Sequence, residues 1–219
     1  MIKKKINSII LGGSSGIGRE IYNELNEISR NIFKCSSKDI DTSNLKSVEK
    51  FIKKNKTADV LILNTGGPPA KDFYKISEKE WSKYFNQLFL SFAIMLQKIK
   101  INKNGYIFLI SSFHIRDINQ KLSISNSLRA ATWSVIKSIT EELSKYNITT
   151  INIAPGPFDT DRIRTLNPDI EKLKSKLILK DIGKTADIGN IVKCIVENNI
   201  KSINGTTLFM DGGNSKSIF

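Results

Sequence analysis

The order of apolar and polar positions alternates between two periods along the chain. Ile9–Leu11 reads as a strand, and the continuous apolar runs at Asp59–Leu63 and Gly105–Ser112 as buried strands, the first of these two buried on both faces as in a parallel sheet; Ile148–Ala154 is a further, β-rich strand. Shorter strands are predicted at Asn31–Cys35 and Thr206–Met210. Between them lie segments with apolar residues three and four apart: one from Arg19, one over about Asn44–Lys54, one from Ser77 to about Lys100, one over about Ser123–Lys145 and one from Thr185. Ser77-Glu-Lys-Glu80 is a capping-box pattern at the start of the third of these helices. Trp81, Phe85, Leu88, Phe89, Phe92 and Leu96 form its apolar stripe, which core packing explains. Residues 161–180 are irregular and charged and read as a flap. Strand and helix alternate throughout with no linker or repeat, which predicts α/β architecture: one domain over 1–219, a doubly wound parallel sheet with helices on both faces.

The first strand runs into Gly12-Gly-Ser-Ser-Gly-Ile-Gly18, and a helix follows at once. Glycines in such a turn let a phosphate approach the backbone and permit positive φ. The helix N-terminus behind them offers unpaired N–H groups and a partial positive charge. A glycine-rich turn between a strand and a helix is the context in which a dinucleotide's diphosphate is bound. In such folds the tip of the second strand meets the adenosine ribose, where an acidic residue favours NAD. Here the tip carries Ser36, Ser37 and Lys38, hydroxyls and a cation, which favours NADP with NAD as second choice. A polar turn with its lysine in water is the other reading. Asn64-Thr-Gly-Gly-Pro-Pro69 closes the third strand, either at the ligand crevice of an open α/β sheet or as a plain turn.

At 219 residues, 40% hydrophobic and 25% charged, the chain suits one domain with a sizeable core. The formal net charge is +13, yet the basic residues are scattered; Lys3-Lys-Lys5 and Lys53-Lys54 are the densest clusters. Neither is flanked by a stacking aromatic platform, so we expect no nucleic-acid partner. No apolar run approaches a membrane span, so no membrane partner is expected. Cys35 and Cys194 lack metal-like or redox-like spacing, and no signal peptide is recognisable, which makes a reduced cytoplasmic compartment the default. His114 is the only histidine, which excludes a histidine-built metal site within one chain.

In order and spacing, Gly12-Gly-Ser-Ser-Gly-Ile-Gly18, Asn64-Thr-Gly66, Ile110-Ser-Ser112, Pro155-Gly156 through Thr160, and Asp211-Gly-Gly213 resemble the short-chain dehydrogenase/reductase family from end to end. The resemblance implies a Rossmann-type NAD(P)-binding fold, a small-molecule substrate, and a homodimer or homotetramer. It implies that Gly12, Ser14, Ser15, Gly16, Ile17 and Gly18 surround the phosphates. It places Asn64, Thr65 and Gly66 beside the adenosine ribose, and Asp41 and Thr42 at the adenine edge. Pro155, Gly156, Phe158 and Thr160 fall on the nicotinamide side, with Thr160 at the carboxamide. Only six residues separate Cys35 from Asp41, so the helix and strand usual there are almost absent.

The catalytic positions depart from the family pattern. Ketone-reducing members use a serine, matched by Ser112, then a Tyr-x-x-x-Lys on the next helix. The counts reach Ser125 and Arg129 instead, and the helix asparagine is replaced by Leu88. A phenol with pKa near 10 can be tuned towards neutrality, whereas a serine hydroxyl is a far poorer acid and arginine stays protonated. Ser112, Ser125 and Arg129 are therefore candidate catalytic residues of a non-standard site, Arg129 also binding cofactor ribose or an anionic substrate. The alternative is a cofactor-binding sensor or assembly protein without turnover. His114, on the pocket-rim loop, is a possible proton source or a satisfied loop histidine, and Asn126 shares the helix face with Arg129. Ser123-Ile-Ser-Asn126-Ser-Leu-Arg129-Ala, together with Gly66-Gly-Pro-Pro69 and Pro157-Phe-Asp-Thr-Asp-Arg162, resembles a divergent branch of 3-oxoacyl-carrier-protein reductases that lacks the usual Tyr and Lys.

Overall fold

Strands β1 (Ile6–Leu11), β2 (Ser29–Cys35), β3 (Thr57–Leu63), β4 (Lys100–Ile110), β5 (Thr149–Pro155) and β6 (Thr206–Met210) lie in one sheet of order β2-β1-β3-β4-β5-β6. Every pairing is parallel. This computed structural model describes residues 6–218, so the Lys3–Lys5 cluster falls outside the described residues. The order reverses between β1 and β3, which opens the ligand crevice at their carboxyl ends.

The period-two pattern of the strands builds two cores. Leu61 and Leu63 face α2 (Leu45–Lys54), α4 (Ser91–Lys98) and α5 (Ser123–Ser144), packing with Phe51, Phe92 and Ile136. Val60 and Ile62 face the other way, towards α1 (Gly16–Asn26) and α8 (Thr185–Glu197), and pack with Ile21, Leu25 and Val192. Burying such side chains from water is the main driving force for both layers. Burial also pushes the Cys35 thiol up to about 12, with Asp39 adding to the rise, so this cysteine is inert at neutral pH.

The chain leaves β2 and reaches α2 through residues 36–44 without an intervening strand, as the short Cys35–Asp41 spacing predicts. β2 is consequently a sheet edge, with Phe33 52% exposed. Two predicted features change. The helix expected over 77–100 is α3 (Glu78–Phe85), a π-helical turn at Asn86–Leu90, and α4. The turn is braced by the buried Ser91, whose hydroxyl donates to the Gln87 carbonyl at 3.1 Å. Phe85, the last residue of α3 before the turn, does not join the buried stripe and is 41% exposed. The expected capping box at Ser77 and Glu80 is present, and Lys71 joins it. Glu80 is held at about 2 by the Lys71 ammonium first, then by the Ser77 amide and hydroxyl.

The expected irregular flap contains α6 (Asp161–Leu166) and α7 (Ile170–Lys176), each started by a local cap, Thr160 Oγ1 on the Ile163 amide and Asp169 Oδ1 on the Lys172 amide. Asp211 accepts from the Gly213 and Ser215 amides, so Asp211-Gly-Gly213 folds the C-terminal turn. Among the described residues no helix is long and apolar enough to cross a membrane.

Candidate functional site

The β1–α1 turn is shaped by close approach. Gly12 has φ +61°, and a Cβ there would come within 2.7 Å of Asn64 Nδ2. A Cβ on Gly18 would sit 2.1 Å from the Gly12 carbonyl oxygen. Ser15 precedes α1 in an extended conformation and its side chain caps nothing, so the first amides of the helix keep their hydrogen-bonding capacity. Gly12, Ser15, Gly16 and Ile17 line a cavity of about 570 Å³. Asn64, Thr65 and Gly66 continue its wall from β3, and Pro155, Gly156, Phe158 and Thr160 from β5. A turn packed too closely for side chains, beside a helix N-terminus whose amides no side chain caps, fits a dinucleotide's diphosphate. Ser14 and Gly18 do not line this cavity; Gly18 acts through the turn's geometry.

Ser36, Ser37, Lys38, Asp41 and Thr42 also lie outside the cavity wall. Thr42 is buried, its hydroxyl 3.3 Å from that of Thr65, and Asp41 is occupied with the Ser43 amide and hydroxyl. Ser36 is not a free donor, because its hydroxyl and amide both donate to Asp39 at 2.6 and 2.8 Å. Those two bonds hold the Asp39 carboxyl below its usual range. The expected set of hydroxyls and a cation therefore includes a carboxylate that the sequence reading passed over. Asp39→Ala is expected to raise the ratio of NADPH to NADH affinity by roughly three- to tenfold, a range suited to one exposed charge. Calorimetric titration with both cofactors checks this.

At the other end of the cavity the three candidate catalytic residues meet. Ser112, Ser125 and Arg129 all line it. Ser112 ends the crossing from β4, and its hydroxyl accepts from the His114 amide at 3.2 Å. Ser125 and Arg129 are buried one helical turn apart on α5. The Arg129 guanidinium donates to Ser125 Oγ at 3.3 Å, to the Ile110 carbonyl at 2.7 Å and to the Thr65 carbonyl at 3.2 Å. It thus spans the carboxyl ends of β3 and β4. Burial, and secondly the charge of Arg162, push its pKa down to about 10, which still leaves it cationic at neutral pH.

His114 lines the cavity as expected of the rim loop, and its Nδ1 donates to the Asp117 carbonyl at 2.7 Å. Asn126 does not reach the cavity; its amide donates to the Asn119 carbonyl at 2.7 Å. The position counted to Leu88 is buried core against Ile124 and Leu128. Its neighbour Gln87, turned by the π-helical segment, donates to the Gly66 carbonyl at 2.8 Å and props the end of β3. Arg162, from the flap, crosses the cavity to the Pro68 carbonyl. Nothing in residue spacing pointed to Gln87, and the segment ending in Arg162 gave no sign of that side chain's reach to Pro68.

A parallel sheet with its crevice lined by a glycine turn on one side and a buried serine–arginine pair on the other defines a dinucleotide-binding α/β protein. The chain belongs to the short-chain dehydrogenase/reductase family: the family model described as Enoyl-(Acyl carrier protein) reductase matches residues 15–215. It is 24% identical to the 7alpha-hydroxysteroid dehydrogenase of Escherichia coli (strain K12), across 94% of this chain and 92% of that one. It is likewise 24% identical to the 3-oxoacyl-[acyl-carrier-protein] reductase FabG of Staphylococcus epidermidis, across 94% and 98%. Among solved structures, the angucycline C-6 ketoreductase LanV with bound NADP superposes with a TM-score of 0.86 at 16% identity, covering 94% of each chain.

Proposed function

We propose that the protein is an NADP-dependent oxidoreductase moving hydride to or from a small carbonyl or alcohol substrate at a non-standard site. The observation that carries this reading is the continuity of one cavity from Gly12–Ile17 to Ser112, Ser125 and Arg129. Bound NADP would supply the hydride. The α1 amides bind its diphosphate, Asn64 and Gly66 flank a ribose, and Thr160 lies at the nicotinamide end. Thr160 does so through its backbone, since its hydroxyl already accepts from the Ile163 amide and donates to the Phe158 carbonyl. Ser112 and Ser125 orient the substrate oxygen by hydrogen bonds. Arg129 fixes the strand ends around them and offers its remaining N–H groups to a ribose hydroxyl or an anion. Structural neighbours carrying NADP or NADPH support the cofactor assignment. We read residues 1–219 as one cytoplasmic domain that assembles as a homodimer or homotetramer.

Titration of the full chain with NADPH tests the reading, followed by steady-state assays on ketones, aldehydes and acyl thioesters. Micromolar NADPH binding with turnover on one class is the expected result; absence of affinity for both NADP and NAD overturns it. Arg129→Ala is expected to weaken NADPH binding by about tenfold, near 1.4 kcal/mol; unchanged affinity removes Arg129 from the cofactor site. A second reading, a dinucleotide-binding sensor without turnover, is favoured by the hydrogen bonds that pin Arg129 to two backbone carbonyls. Tight binding with no turnover on any class selects it.

A further inference from the structure

Two guanidinium groups converge on one point of the cavity wall without an acidic counterpart. A Cβ placed on Gly67 would lie 3.2 Å from Arg162 Nη2 and 3.5 Å from Arg129 Nη2. Both side chains line the cavity, Arg129 buried and Arg162 half-buried. Neither forms an ion pair with a carboxylate among the described residues; their oxygen partners are the carbonyls of Ile110, Thr65 and Pro68 and the Ser125 hydroxyl. Each is pushed below the ordinary arginine pKa, Arg129 by burial and then by Arg162, and Arg162 by burial. Among the described residues, the charged side chains along the cavity are Lys121, Arg129, Arg162 and one carboxylate, Asp161.

Burying two like charges together is costly, and neutral carbonyls compensate only part of that cost. An oxyanion between the two forks would relieve it, and guanidinium groups bind planar carboxylates through paired N–H bonds. The alternative anion is the cofactor's own diphosphate. The glycine turn already provides amides for that group. Arg129, by contrast, is bonded to Ser125 and to the end of β4 that leads into Ser112, the substrate end of the cavity.

We propose that Gly67, Arg129 and Arg162 form an anion subsite that takes the carboxylate of a small oxo- or hydroxycarboxylate substrate. The absence of a side chain at Gly67 leaves the room for it, and Arg162 brings the flap down onto the bound anion. The assignment deepens the oxidoreductase reading and rests on it for the substrate's carbonyl or alcohol, although the anion subsite is measurable without turnover.

The test uses the full chain saturated with NADPH, with acetoacetate and pyruvate, each beside its methyl ester, as probes. Binding is read by saturation-transfer NMR and calorimetry, and turnover by NADPH oxidation. At least one free acid is expected to bind ten times more tightly than its ester or to show a tenfold higher kcat/KM. Arg162→Gln is expected to remove that preference by lowering binding of the free acid at least five times more than that of the ester. Gly67→Asp, which sets a carboxylate between the two guanidiniums, is expected to abolish acid binding and raise the thermal midpoint. Equal behaviour of acid and ester in the wild type, or equal losses for both in Arg162→Gln, overturns the proposal. So does acid binding that occurs only without cofactor and is displaced by NADPH, which returns the subsite to the diphosphate. Failure to bind NADPH refutes the oxidoreductase reading; acid binding to the cofactor-free chain that is lost in Arg162→Gln then still supports the anion subsite.

Discussion

Gly18→Ala is expected to remove dinucleotide binding and to lower the thermal midpoint by roughly 4 to 8 °C. The new Cβ would sit 2.1 Å from the Gly12 carbonyl oxygen, a distance that forces the turn and the first helical turn apart. Alanine gains about 1 kcal/mol of helix propensity over glycine. That gain is outweighed by an overpacked backbone contact of about 3 kcal/mol or more. Because the displaced atoms belong to the turn that positions the α1 amides, affinity falls with stability. Gly66→Ala is the matched control, since a Cβ there meets nothing within 4 Å. Its stability is expected to stay within about 0.5 kcal/mol of the parent. Differential scanning calorimetry with and without NADPH reads both variants. An unperturbed midpoint in Gly18→Ala would mean that the strand and helix do not approach as closely as described.

The strands could be read from residue order because a parallel strand needs only a short apolar run, and alternation then decides its faces. Leu61 and Leu63 enter one core, and Val60 and Ile62 the other, as a period of two dictates. The glycine turn was legible for a similar local reason: Gly12 and Gly18 are required by their close approach to each other and to Asn64, and Gly12 and Gly16 by their positive φ. The π-helical turn was not, since one additional residue per turn leaves the apolar spacing nearly intact while rotating every later side chain. That rotation puts Leu88 in the core and Gln87 on the Gly66 carbonyl.

Asp39 was visible in the sequence, but its weight was not, because its bonds to Ser36 depend on how the turn after β2 closes. Arg162 lies 94 residues from its partner Pro68, and no periodicity links a flap residue to the loop it crosses. Chemistry supplied by local geometry can be read along the chain. Chemistry supplied by distant segments meeting over a cavity needs the fold.

Ser125→Tyr combined with Arg129→Lys is expected to raise the rate of NADPH oxidation with a small ketone by about two to four orders of magnitude, the usual contribution of a general acid. Ser125 faces the cavity, so a phenol grown from that position extends into the space the reading gives to the substrate oxygen. Its ordinary pKa near 10 is within tuning range of neutrality, unlike that of the serine hydroxyl it replaces. The second substitution is required because Arg129 is pinned to the carbonyls of Ile110 and Thr65 and keeps its proton at neutral pH. A lysine has one compact ammonium, releases at least one of those carbonyls, and exchanges protons readily when buried. Ser125→Tyr alone is therefore expected to gain less than a tenth of the double variant's increase. Stopped-flow or steady-state absorbance at saturating NADPH measures the series, with cofactor affinity recorded for each variant. If the double variant folds, binds NADPH as the parent does and stays silent on ketones, aldehydes and oxo acids alike, the missing proton donor is not what limits the site. The dinucleotide-binding sensor then becomes the better account of a cavity whose arginine braces two strands.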